Sequence, residues 1–393
     1  MKKPKVLMVT GVYLPEANGA VLQCSNLIQW ASTEVEFQVL AGANGPPVQS
    51  TALTKSGIPV TRIGAEATCG IHKYLYLFKF LLAFIFRAIT VDIVHIHGFS
   101  TRNALVILLA RLLRKRIILK MTSVGIDDPM TVKRKTIIKW IIYKLAHQYI
   151  AISPAFMRSS VLAKIGLERC HFIPNAVDSE IFCPASRTER NRLRTQLGLS
   201  AEEKIVLFVG HLSNEKRLNI LYEAWRDLIE ENCFSRLIVI GKTRGFEIDT
   251  DLATLIFEDS RRRGIFKKIT FIEKTDAINQ YMKAADIYVH TSIREGMPNA
   301  VLEAMASSLP CIVTEIPGVT DFIINHGKTG FLIQRDDIAG LKKILRTLLT
   351  GKALGTKIGK NAREYVLGRH NWQSVSKEMK NIYRLILGKK SIL

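Results

Sequence analysis

The residues best suited to chemistry lie in the stretch 285–323, where Glu295 and Glu303 stand eight positions apart around a turn made by Gly296 and Pro298. Apolar runs at 287–289 and 310–314 flank a segment of helical spacing at 298–306, so the stretch is expected to be one strand, loop, helix, strand unit. A helix that starts at the C-terminal edge of a parallel sheet is an anion site, because its first N–H groups lack intrahelical acceptors and carry the positive end of the helix dipole. A phosphate held by those N–H groups, with hydroxyls held by two carboxylates, describes a nucleotide sugar. Two isolated glutamates would serve equally well as an exposed helix carboxylate and a dipole partner, so the reading depends on their surroundings.

Those surroundings carry a resemblance. Glu295-Gly296-x-Pro298, Glu303-Ala304-Met305-Ala306, Pro310-Cys311-Ile312-Val313 and Pro317-Gly318-x-x-Asp321 resemble the Glu-x7-Glu signature of the retaining glycosyltransferases of family 4, which have the GT-B fold. Ser308 departs from it where Gly is usual, and Asp321 stands where Glu is frequent. The resemblance implies an α/β chain of two Rossmann-like, doubly wound domains facing each other across a cleft, with a C-terminal helix crossing back to the first domain. It also implies transfer from a nucleotide diphosphate sugar without a cofactor or a catalytic metal. Retention in this family is usually ascribed to front-face attack assisted by the leaving phosphate, so no dedicated nucleophile is expected.

Site residues follow from the same resemblance. Glu303 would bind ribose hydroxyls and Glu295 a sugar hydroxyl, while the backbone through Gly296, Met297, Pro298 and Asn299 would hold the sugar or diphosphate. Gly210-His211-Leu212, with Lys216 and Arg217 beyond it, matches the family's phosphate-binding segment, in which His211 replaces the common Arg and Arg217 the usual Gly. A cation there answers the charge left on the β-phosphate. Gly241 would line the nucleotide loop. In the first half, Gly19 and Ala20 stand where the family has a glycine pair beside the donor phosphates. His97 ends the strand-like run 92–98 and matches the histidine near the reacting carbon, with His95 expected to face the sheet packing. Ser123 and Asp127, after the strand expected at 116–121, are candidates for acceptor contact. Asp249-Thr250-Asp251 has the Asp-x-Asp spacing of a metal site but leads into a helix pattern, so capping explains it more simply.

The elements that must position these residues are legible at coarse grain. Strands are expected at 6–10, 37–41, 60–63, 92–98, 116–121, 150–153, 205–209, 237–240 and 269–272, alternating with helices, which indicates parallel sheets. The domains are expected at 1–182 for the acceptor and 204–371 for the nucleotide sugar, joined by a linker at 183–203, with 372–393 as the crossover helix. Six scattered cysteines without Cys-x-x-Cys spacing suggest reduced thiols and no metal site.

The chain of 393 residues carries a net charge of +22. Residues 1–170 hold 22 Lys and Arg against 8 Asp and Glu, a balance of +14. A basic face of this kind suits an anionic surface or substrate. Two helix patterns add to it: one containing Leu75, Phe78, Leu81, Leu82 and Ile85, with aromatics from Tyr74 to Phe86 on more than one face, and 131–147, with Ile137, Ile138, Ile141, Ile142 and Leu145 set against Lys133, Arg134, Lys135, Lys139 and Lys144. Each could pack on a sheet or rest on a membrane surface. Lys79, Arg87 and Asp92 interrupt the only long apolar run, and the start 1–10 is too short in apolar residues for a signal peptide.

The expected protein is therefore a cytoplasmic enzyme, peripheral on the inner membrane face, that moves a sugar from a UDP-sugar rather than a GDP-sugar. The acceptor would be a glycan or lipid-linked molecule of cell-surface polysaccharide or glycolipid synthesis, with no nucleic acid as partner. The alternatives are a nucleotide-sugar epimerase or hydrolase of the same fold, and a non-catalytic basic membrane-binding protein.

Overall fold

The computed structural model describes residues 3–16, 18–44, 49–53, 57–65, 71–242 and 250–388. The chain forms two compact units, one of Met1–Asn175 with Trp372–Leu393 and the other of Ala176–Asn371.

The first unit runs β1 (Lys5–Thr10), α1 (Gly19–Ala31), β2 (Glu36–Asn44), β3 (Gln49–Leu53), β4 (Pro59–Ala65), α2 (Ile71–Ile89), β5 (Ile93–His97), α3 (Thr101–Leu112) and β6 (Arg116–Lys120). It continues with α4 (Pro129–Lys135), α5 (Ile137–Tyr143), β7 (Gln148–Ala151), α6 (Pro154–Leu162) and β8 (Cys170–Phe172). Its sheet has the order β3-β4-β2-β1-β5-β6-β7-β8 and is parallel except where β3 runs against β4. The central strands are buried on both faces, as continuous apolar runs such as Val6-Leu7-Met8-Val9 require. The strand order reverses between β1 and β5, so the C-terminal ends of those strands form a switch point, where ligands of such sheets bind.

The second unit runs α7 (Arg187–Gln196), β9 (Ile205–Val209), α8 (Leu218–Glu230), β10 (Arg236–Ile240), α9 (Thr250–Arg262), β11 (Ile269–Ile272), α10 (Ile278–Ala284) and β12 (Ile287–His290). It continues with α11 (Asn299–Ala306), β13 (Cys311–Thr314), α12 (Thr320–Ile323), β14 (Phe331–Ile333), α13 (Ile338–Thr350) and α14 (Lys352–Arg369). The sheet order β11-β10-β9-β12-β13-β14 is parallel throughout, with its switch point between β9 and β12. Its core includes the fully buried Trp225, whose indole N–H donates to Ser235 Oγ at 2.9 Å.

The final helix, α15 (Trp372–Ile386), packs on α1 of the first unit, as expected for the C-terminal helix. Glu34 receives Lys380 Nζ and Arg384 Nη2, each at 2.5 Å, and Tyr383 OH lies 2.8 Å from His95 Nδ1.

Several local expectations change. The segment 183–203, expected as a linker, carries α7 and is fastened to the second unit by Arg194. That buried guanidinium donates to the Ala284, Ser200, Ala201 and Glu203 carbonyls and to Asp286 Oδ2 at 2.7 Å. The single helix expected over 131–147 is two short ones, broken where Thr136 adopts an extended backbone and accepts from Lys139 N to cap α5. β3 was not foreseen. His95 and His97, expected to point differently, share a face because strand side chains repeat every two residues, and their rings stack 4.6 Å apart.

Candidate active site

Three loops meet at the switch point of the second sheet: the one after β9, Gly241 after β10, and the turn between β12 and α11. Gly241 approaches the first so closely that a Cβ would lie 2.0 Å from the Gly210 carbonyl oxygen, a gap only glycine fits. The loop after β9 is bound to the turn after β12. Ile293 N donates to Glu215 O at 2.9 Å, Thr291 Oγ1 to Lys216 O at 2.9 Å, and the Arg294 guanidinium to both oxygens of Glu215.

This lacing sets Lys216 against Glu295. Nζ donates to Oε1 at 2.5 Å, with the side chains 23% and 13% exposed. The same Oε1 lies 2.9 Å from His290 Nε2 at the end of β12, and His290 Nδ1 lies 3.3 Å from Tyr288 OH. With Nε2–H donating to the carboxylate, Nδ1 remains to accept the tyrosine hydroxyl. Burial alone would raise the Glu295 carboxyl, but the Lys216 charge and the His290 hydrogen bond hold it well below the usual carboxylate range. His290 was absent from the sequence expectations. Its position at the C-terminal end of a strand, five residues before Glu295, was the available signal.

Glu303 is different. Glu295 lies in the turn and Glu303 is the fifth residue of α11, so just over one helical turn separates Glu303 from the helix start. No hydrogen bond or ion pair among the described residues reaches its half-buried carboxylate, and burial pushes the group up to about 7. No side chain caps α11. Pro298 carries no N–H, so of the four residues expected to present backbone donors it can only shape the turn. Gly296 and Met297 precede it, and Asn299 opens the helix.

Of the other sequence-expected residues here, His211 is exposed, whereas Arg217 turns to Asp336, with Nε 3.4 Å from Oδ1. Arg217 has φ +49° and Ser308 φ +60°, so both replacements of the family's usual glycine sit in the left-handed region that glycine favours. Asp249 lies outside the described residues, and Thr250 opens α9. Among the described residues no group of three or more His, Cys, Asp or Glu is placed to hold a metal ion.

The first unit gathers its candidates at the ends of β1, β5 and β6. Gly19 opens α1, capped by Asn18 Oδ1, which accepts from Val21 N at 3.0 Å. His97 is buried with neither ring nitrogen partnered, and desolvation, added to by the charges of His95 and Lys120, lowers it well below the ordinary histidine value. Asp127 is also buried. Its carboxylate accepts from Thr122 N, Thr122 Oγ1 and Ser123 N at 2.8–2.9 Å, so the two candidates Ser123 and Asp127 brace one loop together. Burial nevertheless raises Asp127 to about 6. Lys120 lies in register with His97 and was not singled out from the sequence.

Two doubly wound sheets, parallel but for β3, with a cation and two glutamates at the switch point of the second, define an α/β protein of the architecture that binds ligands at such points. Comparison with known proteins sharpens this. The model of Glycosyltransferase Family 4 matches residues 17–181 and that of Glycosyl transferases group 1 matches residues 189–365. The chain belongs to this family of GT-B glycosyltransferases.

It is similar to the N-acetyl-alpha-D-glucosaminyl L-malate synthase of Bacillus anthracis, 26% identical over 213 residues that cover 54% of this chain and 53% of that one. It is 30% identical over 214 residues to the UDP-Gal:alpha-D-GlcNAc-diphosphoundecaprenol alpha-1,3-galactosyltransferase of Escherichia coli, covering 54% and 53%. The chain thus matches about half the length of these curated relatives. Among solved structures, Anabaena HepE in complex with UDP and glucose aligns with a TM-score of 0.76 at 19% identity, covering 96% of this chain and 98% of that one, which bears on the fold.

Proposed function

We propose that this protein is a retaining glycosyltransferase that takes a sugar from a nucleotide diphosphate donor, a UDP-sugar in preference to a GDP-sugar, without a bound metal. The acceptor is a glycan or lipid-linked molecule of polysaccharide or glycolipid synthesis. The carrying observation is the division of labour between the two glutamates: Glu295 is already engaged by Lys216 and His290, while Glu303 has no partner among the described residues. In this reading Lys216 neutralises the leaving diphosphate, Glu295 meets a sugar hydroxyl, and Glu303 accepts the ribose hydroxyls. A relative named for UDP-Gal and a diphosphoundecaprenol-linked sugar, and a similar fold seen with UDP, support the donor and acceptor classes.

The test is thermal unfolding with UDP, GDP or ADP, each in EDTA and in Mg²⁺, since a ligand at about 100 times its Kd adds about 2.7 kcal/mol. A shift with UDP in EDTA is expected; no shift with any nucleotide would refute the reading. Glu303 adds a pH signature. Its folded value is raised, so the folded state binds the extra proton above the unfolded carboxylate range, and its contribution to stability falls as pH rises through about 7. Hydroxyl donors prefer the ionised carboxylate, so UDP affinity should rise over the same window. Glu303→Gln should weaken UDP and flatten that dependence.

We further propose that the first unit rests on an anionic lipid surface. Among the described residues no helix is long and apolar enough to cross a membrane. Yet Tyr74, Phe78, Phe86 and Ile89 of α2 are 62–72% exposed, as are Ile137 and Ile138 of α5 at 66% and 68% and Ile141 at 53%. These helices flank α3 in one layer, amid the basic excess of the first half. Exposed apolar side chains beside lysines match a headgroup boundary. Ile137→Glu with Ile141→Glu is expected to abolish cosedimentation with anionic vesicles and leave UDP binding intact; unchanged cosedimentation would exclude this face.

A further inference from the structure

Lys120 ends β6 directly beside His97 in parallel register, which puts both side chains on one face of the sheet, with His95 on the same face. It is only 7% exposed. Buried lysines are rare because an ammonium removed from water is costly unless a carboxylate answers it. None does so here: no hydrogen bond or ion pair among the described residues reaches Nζ, and the buried Asp127 is occupied by Thr122 and Ser123. The Cys24 thiol on α1 favours the charge on Lys120, but burial holds that thiol up at about 12, so it stays neutral. Both ring nitrogens of His97 and Nε2 of His95 are likewise buried without partners. The end of the first sheet therefore concentrates nitrogen groups, and among the described residues no carboxylate is bonded to them, Asp127 being held by Thr122 and Ser123.

We propose that Lys120, with His97 beside it, receives an anionic group of the acceptor, a phosphate or carboxylate carried close to its reacting hydroxyl. The inference rests on the transferase reading for the word acceptor; the anion site itself does not. Lys120 is then a specificity-determining residue, selecting acidic acceptors over neutral glycans. The energetic logic is a conflict between folding and binding: burial takes the Lys120 ammonium out of water, and a bound anion would answer that charge.

The experiment uses the full chain, with inorganic phosphate as the soluble probe and phosphatidylcholine vesicles doped with a polyprenyl phosphate as the lipid-borne one. Binding is read by thermal unfolding. Phosphate or the doped vesicles should stabilise the wild type, the free ion identifying a soluble anion and the vesicles alone a lipid-borne one. Lys120→Met should weaken phosphate by about tenfold or more, the loss of one charge-assisted contact. It should also leave UDP affinity unchanged and melt no lower than the wild type, where a structurally required lysine would lower the melting temperature. Lys120→Gln repeats the binding arms if Met disturbs the fold. The proposal is overturned if neither probe stabilises the wild type, if both stabilise the Lys120 variants as well as the wild type, or if the variants weaken UDP as much as phosphate, which would place the lysine at the donor. A wild type that binds phosphate but no nucleotide keeps the anion site and refutes the transferase reading.

Discussion

Replacing Lys216 by alanine is expected to lower turnover roughly 10²-fold or more, because it removes the cation that meets charge developing on the leaving diphosphate. The structure adds a second consequence. Glu295 Oε1 loses its 2.5 Å partner and keeps only His290, leaving a mostly buried carboxylate under-satisfied. That should cost about 1–3 kcal/mol of folding stability, at the modest end because both groups keep some contact with water. It should also move the Glu295 carboxyl upward from its depressed position, since the charge that lowered it is gone. A fall mainly in kcat at saturating donor would mark stabilisation of the transition state, whereas a rise in KM alone would mark uniform binding. Near-normal turnover in a folded Lys216→Ala protein would rule the role out. Lys216→Arg keeps the charge and should retain more activity than alanine, which separates charge from the exact shape of the contact.

Arg194→Met is expected to give the largest loss of stability, about 3–5 kcal/mol for the second unit, because it breaks a buried charged network rather than a surface pair. The guanidinium joins four carbonyl-bearing residues to Asp286, and the same carboxylate oxygen accepts from Ile205 N at 2.8 Å. Methionine fills similar space yet leaves those carbonyls without donors. Arg190 and Lys204 still neutralise Asp286, at 2.8 and 3.7 Å, so the deficit is chiefly one of unmet hydrogen bonds. Urea unfolding monitored through Trp225 reports the change. A loss below about 1 kcal/mol would mean that water replaces the guanidinium and the network is not truly buried.

Much of the α/β architecture was legible, because continuous apolar runs bounded by Gly and Pro mark buried parallel strands, and an alternation of such runs with helical periods admits few topologies. The turn holding Glu295 and the position of Lys216 could be read for the same reason: short motifs on consecutive elements are local. Helix integrity over 131–147 was not legible, since Thr136 is compatible with a helix by propensity and breaks it only by capping α5. Nor could the role of 183–203 be read, because a charged run looks like a solvated linker until Arg194 finds partners some ninety residues away.

By itself, the sequence determined most of the parallel strands, the family they belong to and which two glutamates flank the central turn. Only the tertiary structure decided who meets whom. It joined Lys216 to Glu295 and added His290, sent Arg217 to Asp336, put Lys120 beside His97, and gave neither Glu303 nor Lys120 a charge partner among the described residues. The reason is that a side chain's charge partner is set by strand order and register, which bring together residues tens of positions apart, whereas a sequence pattern reports only the period of the element on which each residue sits.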